Sequence, residues 1–110
     1  MSIQTNYDKM GKWEIEKAVF LQKIAVDLGM DLSGYGEMGV NPNTGYTYLW
    51  LEDYNFTLYM PINCDLKKED VYALWTDYND GTEEEMDLKE YTTLNEIEEW
   101  AEELQKNVKE

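Results

Sequence analysis

On either side of the triplet Asp53-Tyr54-Asn55 the chain repeats with a period of two, a pattern that suits a half-buried strand and no helix. Before the triplet, over residues 45–52, Tyr46, Tyr48 and Trp50 point one way and Thr47, Leu49 and Leu51 the other. After it, over residues 56–60, Phe56, Leu58 and Met60 alternate with Thr57 and Tyr59. Pro61 ends that run or marks a bulge, because its nitrogen carries no hydrogen for a ladder. Upstream, Tyr35–Val40 reads as a weaker strand, joined to the next by the turn Asn41-Pro42-Asn43-Thr44-Gly45. Gly34, Gly36 and Gly39 precede that turn rather than a helix, so they are not a dinucleotide-binding loop. Downstream, residues 71–77 and 83–88 read as a hairpin about Asn79-Asp80-Gly81. In its second strand Glu83, Glu85 and Asp87 alternate with Glu84, Met86 and Leu88, so one side is wholly acidic.

Two helices bracket these strands. Over residues 13–28, Trp13, Leu21, Ile24, Ala25 and Leu28 recur at helical spacing, with Ile15, Val19 and Val26 widening the apolar arc. Gly29 follows as the stop, free to take a positive φ. Thr93-Leu94-Asn95-Glu96 matches a capping box opening a helix over residues 94–107, whose apolar stripe is Leu94, Ile97, Trp100, Ala101, Leu104 and Val108. Residues 1–12 read as a flexible arm and residues 13–110 as one domain. The expected fold is α+β: N-terminal helix, an antiparallel meander of four to five strands, and a C-terminal helix, both helices on one face.

Charge is distributed unevenly over this frame. The 110 residues carry 24 Asp and Glu against 9 Lys, with no Arg and no His, for a net −15. Between Asp77 and Glu103 twelve acids face Lys89 alone. Hydrophobic residues make up 43%, too many for a disordered acidic chain, so the charge sits on something folded. Such a field repels nucleic acid and anionic membrane and attracts basic surfaces. On the last helix Glu98–Glu102 and Glu99–Glu103 are like-charge pairs at i,i+4, each destabilising by roughly 0.2–0.5 kcal/mol. A chain selected for stability alone would put lysines at half of these sites. The acids therefore read as a surface for a basic partner, with Glu83, Glu85, Asp87, Glu98, Glu99, Glu102 and Glu103 as its expected contacts. Tyr54, in a turn, is the aromatic expected to be exposed beside them. Tyr46, Tyr48 and Trp50 are expected either to pack under a helix or to serve a protein contact, and Trp13, Trp75 and Trp100 to fill the core.

In charge, size and α+β layout the chain resembles the small acidic proteins that phages and mobile elements encode against host nucleic-acid-binding systems, namely DNA mimics, anti-restriction proteins and anti-CRISPR proteins. The likeness carries over no functional residue. It implies a non-enzymatic inhibitor whose partner is a basic nucleic-acid-binding protein or nuclease complex, with no direct binding of nucleic acid. The alternative is a small interaction or immunity-type domain recognised through aromatic and apolar contacts.

Other chemistry lacks parts. Without His, and with Cys64 as the lone thiol, neither a zinc site nor a nucleophile–histidine pair can be assembled. There is no Walker loop and no Arg clamp for phosphoryl transfer. Asp77-Tyr78-Asn79-Asp80-Gly81 begins like a calcium loop but places glycine at the fifth position, where a ligand is needed. No enzyme, cofactor or metal is expected. A single cysteine, a polar start and no long apolar run read as cytoplasmic.

Overall fold

The period-two segments become a meander, and the turn chemistry sets its register. The computed structural model describes residues 10–108 and the backbone of residues 2–5. In chain order the elements are β1 (Ser2–Thr5), α1 (Lys12–Leu28), β2 (Tyr35–Val40), β3 (Thr47–Leu51), β4 (Thr57–Met60), β5 (Tyr72–Thr76), β6 (Glu83–Asp87) and α2 (Leu94–Lys106), with a 3-10 turn at Lys68–Asp70. Strands β2 to β6 form the expected antiparallel meander between the two helices.

Two hairpins close in the same way. Asn41 N–H donates to the Tyr46 carbonyl and Gly45 N–H to the Asn41 carbonyl, while Asp77 and Gly81 repeat both bonds with Thr82. The side chains of Asn41 and Asp77 each accept from the backbone N–H two residues on. Gly45 and Gly81 sit at φ 75° and 77°, where a Cβ would be strained. The backbone of the 77–81 segment is thus that of a hairpin turn.

The sheet has one strand more than the sequence suggests. Of the arm expected over residues 1–12, Ser2–Thr5 instead forms β1, parallel to β2 from Ser2↔Tyr35 to Thr5↔Met38. Met1 and residues 6–9 lie outside the described residues. Parallel neighbours need a crossover, and α1 supplies it. The physical reason the strand is hard to foresee is that an edge pairs through backbone N–H and C=O groups. A polar segment such as Ser2-Ile3-Gln4-Thr5 can do this without any amphipathic pattern.

Both helices lie on one face. Ala18, Leu21, Ile24 and Ala25 of α1 and Ile97 and Ala101 of α2 join Leu49, Leu51, Leu58, Met60, Ala73 and Trp75 in a single core. Helix α1 packs against β2, β3 and β4, and α2 against β5. Gly29 ends α1 at φ 88°, where its own N–H and that of buried Met30 return to the Val26 and Ala25 carbonyls. Thr93 caps α2, its Oγ1 accepting from Glu96 N–H at 3.2 Å. The apolar arc of α1 is narrower than expected: Val19 and Val26 are 54% and 58% exposed. A single sheet layer covers one side of a helix, and these two residues lie outside that contact.

The chain leaving β4 is fixed by α1. Trp13 Nε1 donates to the Ile62 carbonyl at 2.9 Å and Lys17 Nζ to the Pro61 carbonyl at 3.3 Å. The donors sit one helical turn apart and satisfy consecutive carbonyls that have left the sheet. Lys17 is only 1% exposed and its ammonium lies 5.7 Å from the Trp13 ring centroid. Trp75 is buried as expected, whereas Trp13 and Trp100 are half-buried.

One buried hydroxyl is left over. Thr47 Oγ1, in the core face of β3, has no hydrogen-bond partner. Burying an unsatisfied hydroxyl costs about 1–3 kcal/mol. Thr47→Val keeps the shape and the β-branching, so it is expected to raise the urea midpoint by an equivalent of about 1 kcal/mol. Chemical denaturation of the two proteins side by side checks this.

Candidate functional site

Because both helices cover the same face, the other face of the sheet carries its own side chains outward. The strand register aligns them in rows. One row runs Gly39, Tyr48, Tyr59, Tyr72, Asp87, and the next Glu37, Trp50, Thr57, Leu74, Glu85. Glu83 extends the edge opposite Thr76. Across this face the aromatic rings touch in sequence. Tyr59 stacks on Tyr72 with centroids 5.5 Å apart and planes at 14°, Tyr48 lies 6.0 Å from Tyr59, and Tyr46 meets Tyr72 edge-on at 6.3 Å. Tyr35 meets Trp50 edge-on at 5.9 Å. Tyr46, Tyr48, Trp50, Tyr59 and Tyr72 are all half-buried, at the level of a surface that neighbours cover only from the sides.

Carboxylates flank the aromatic rings on both sides. Glu83, Glu85 and Asp87 of β6 are exposed on one side, and Glu37 of β2 on the other. Tyr48 Oη donates to Glu37 Oε1. None of the residues of β2 to β6 facing this way is a lysine. The face is therefore apolar and aromatic at its centre and anionic at its rim. Charge of one sign around a low-dielectric patch attracts cations from a distance, while the rings supply the contact area.

Two shallow depressions break the surface and share Trp50, Thr57 and Tyr78. One, of about 270 Å3, is bounded by Glu37, Tyr48 and Tyr59. The other, of about 350 Å3, continues past Leu74 and Thr76 toward Gln105 near the end of α2. Tyr78 stands over both from the β5–β6 turn and is 88% exposed.

The expected contact residues divide between two surfaces. Glu83, Glu85 and Asp87 share the open face with the aromatics. Glu98, Glu99, Glu102 and Glu103 are exposed on α2, which lies against the opposite face and buries Ile97 and Ala101. They are turned away from the sheet. The acids thus gather at one end of the molecule, around β6 and α2, but they look in two directions. Tyr54 does not stand free beside them. It is half-buried against Phe56, at 5.6 Å between centroids, and its Oη accepts from Asp31 N–H at 2.7 Å. Tyr54 fastens the loop after α1 to the β3–β4 turn, and the exposed aromatics among the described residues are Tyr35, Tyr78 and Tyr91.

Sequence reasoning missed Glu37 and Tyr78. Glu37 enters only through the β2–β3 register, which pairs it with Trp50. Tyr78 sits in a turn whose sequence speaks for conformation alone.

Three tyrosine hydroxyls on this face, those of Tyr48, Tyr59 and Tyr72, are held protonated. Burial, then the hydrogen bond and charge of Glu37, pushes Tyr48 well above the ordinary tyrosine range. Burial, then the charge of Glu85, does the same for Tyr72, and burial raises Tyr59. A raised folded-state value means that the native protein keeps a proton which the unfolded chain loses near pH ~10. Stability is then complete below about pH 10 and falls as pH climbs through the raised values. Urea midpoints between about pH 8 and 12 are expected to be flat and then to decline, and Tyr48→Phe to soften the decline. Midpoints that stay level throughout would contradict the assignment.

Among the described residues no three of Cys, Asp and Glu come together as a metal-ion ligand set, and no helix is long and apolar enough to cross a membrane. No protein-family model, curated protein or solved structure matches this chain.

Proposed function

We propose that this protein is a non-enzymatic binding protein that occludes a basic, nucleic-acid-handling protein surface, in the manner of an anti-CRISPR or anti-restriction inhibitor. The observation that carries the proposal is the sheet face left open by both helices, aromatic across three strands and flanked by carboxylates on β2 and β6. Lysines and arginines that ordinarily neutralise phosphates would meet Glu83, Glu85 and Asp87, while Tyr59, Tyr72 and Trp50 exclude water beside them. Charge alone would give a loose, salt-sensitive encounter. The aromatic centre gives the complex its lifetime.

The test is inhibition of a defined reaction. CRISPR nuclease and restriction nuclease complexes are assayed for DNA cleavage with and without the purified chain, at low and high salt. Blockade of at least one such complex, weakening as salt rises, is the expected result. Absence of any blockade across a broad panel counts against the proposal.

The half-buried aromatic rows also favour a second possibility, an interaction or immunity-type domain whose partner is held by apolar contact. Binding would then vary little with salt and fall sharply on Trp50→Ala. Salt dependence separates the two.

A further inference from the structure

The depression beside Glu37 sets among aromatic rings a carboxylate that one of those rings holds by a hydrogen bond. Its floor is made by Tyr48 and Trp50 of β3 and Tyr59 of β4, all half-buried and so fixed by their neighbours. Tyr78, from the β5–β6 turn, is the free-standing side. The Tyr48 hydroxyl holds one Glu37 oxygen, which orients the carboxylate and leaves its other oxygen to accept from a ligand.

The geometry points to a receptor site for one arginine side chain of the partner protein. A guanidinium is planar, sheds water more readily than an ammonium, stacks on tyrosine and tryptophan faces, and donates a fork of N–H groups to a carboxylate. The site offers both complements at once: aromatic rings along its floor and one side, and the Glu37 carboxylate beside them. A lysine ammonium is a compact, strongly hydrated charge that gains less from a flat floor. Charge complementarity favours a cation here over any neutral or anionic group, because the chain carries −15 and the far edge of the same face adds Glu83, Glu85 and Asp87. The inference rests on the docking role proposed for the open face and names the residue chemistry that the face selects.

The experiment titrates the full, nitrogen-15-labelled chain with a hexa-arginine and a hexa-lysine peptide. The four tryptophan indole N–H signals are followed, with Trp50 assigned through Trp50→Phe. Hexa-arginine is expected to move the Trp50 signal and to bind at least about threefold more tightly than hexa-lysine. Tyr78→Ala and Glu37→Gln are each expected to weaken hexa-arginine about 3- to 10-fold. Tyr78 is exposed in a turn and its removal leaves the core untouched, so the dispersion of the other indole signals reports an intact fold. Glu98→Gln with Glu102→Gln, on the opposite side, is expected to preserve the arginine preference. Equal affinity for the two peptides, a stationary Trp50 signal, or full affinity in Tyr78→Ala overturns the inference. Loss of the arginine preference with nuclease blockade retained removes this site alone. An intact arginine site in a chain that blocks no nuclease removes the proposed function and leaves the site standing.

Discussion

The triple variant Glu83→Lys/Glu85→Lys/Asp87→Lys is expected to abolish blockade of a basic partner, while Glu98→Lys/Glu102→Lys leaves it nearly intact. The three β6 acids lie on the open face, at the ends of the rows that carry Tyr72 and Leu74 and opposite Thr76. Reversing each sign converts an attraction into a repulsion against the same partner charge. At about 1.4 kcal/mol per reversed contact, a modest value for close interfacial pairs, affinity drops by roughly 1000-fold. The fold should tolerate the change. All three side chains are exposed, β6 is an edge strand, and lysine guards an edge against mispairing as well as glutamate does. Local like-charge repulsion is also relieved, so the thermal midpoint should hold or rise. The opposite outcome, blockade lost in the α2 variant and kept in the β6 variant, would move the binding surface to the outer side of α2.

Leu58→Ala is expected to cost about 2–5 kcal/mol, a large share of the roughly 5–15 kcal/mol that holds a domain of this size. Leu58 is fully buried at the centre of the sheet, with Leu49 and Ala73 as its cross-strand neighbours and α1 packed over that face. Removing three carbons there leaves a cavity that rigid neighbouring strands cannot fill. Thr57→Ala, one residue earlier but on the open face, is expected to stay within about 0.5 kcal/mol. Urea unfolding measures both, with the midpoint of Leu58→Ala lowered and its slope unchanged. Equal losses at the two positions would mean that both faces of β4 are covered. That would remove the open platform on which the functional proposal depends.

The sites least visible in the sequence are those made by pairing. The rows joining Glu37 to Trp50 and Tyr48 to Tyr59 exist because β2, β3 and β4 align with particular partners. A slip of one residue would send every one of these side chains to the core. Alternation announces that a strand has two faces but not which one a helix covers. Tyr54 shows the same limit at a single residue. A turn position suggests exposure, yet its hydroxyl is used by Asp31, 23 residues away. The acids of β6 and α2 adjoin in sequence and read as one surface, but the sheet stands between them.

By itself the sequence determined the elements and where they stop. Period-two and helical spacing mark a meander of four to five strands and two helices, Gly29 and Thr93 punctuate the helix ends, and the Asn41–Gly45 and Asp77–Gly81 turns close two hairpins. These are local preferences, set by backbone sterics and by side chains within a few residues of one another. Tertiary structure alone decided the rest. It added β1 to the edge of β2, settled which face of the meander the two helices cover, left the tyrosines and Trp50 on the other, and turned the two acidic clusters apart. Those outcomes depend on burial and pairing between segments far apart in the chain, and no short stretch of residues encodes them.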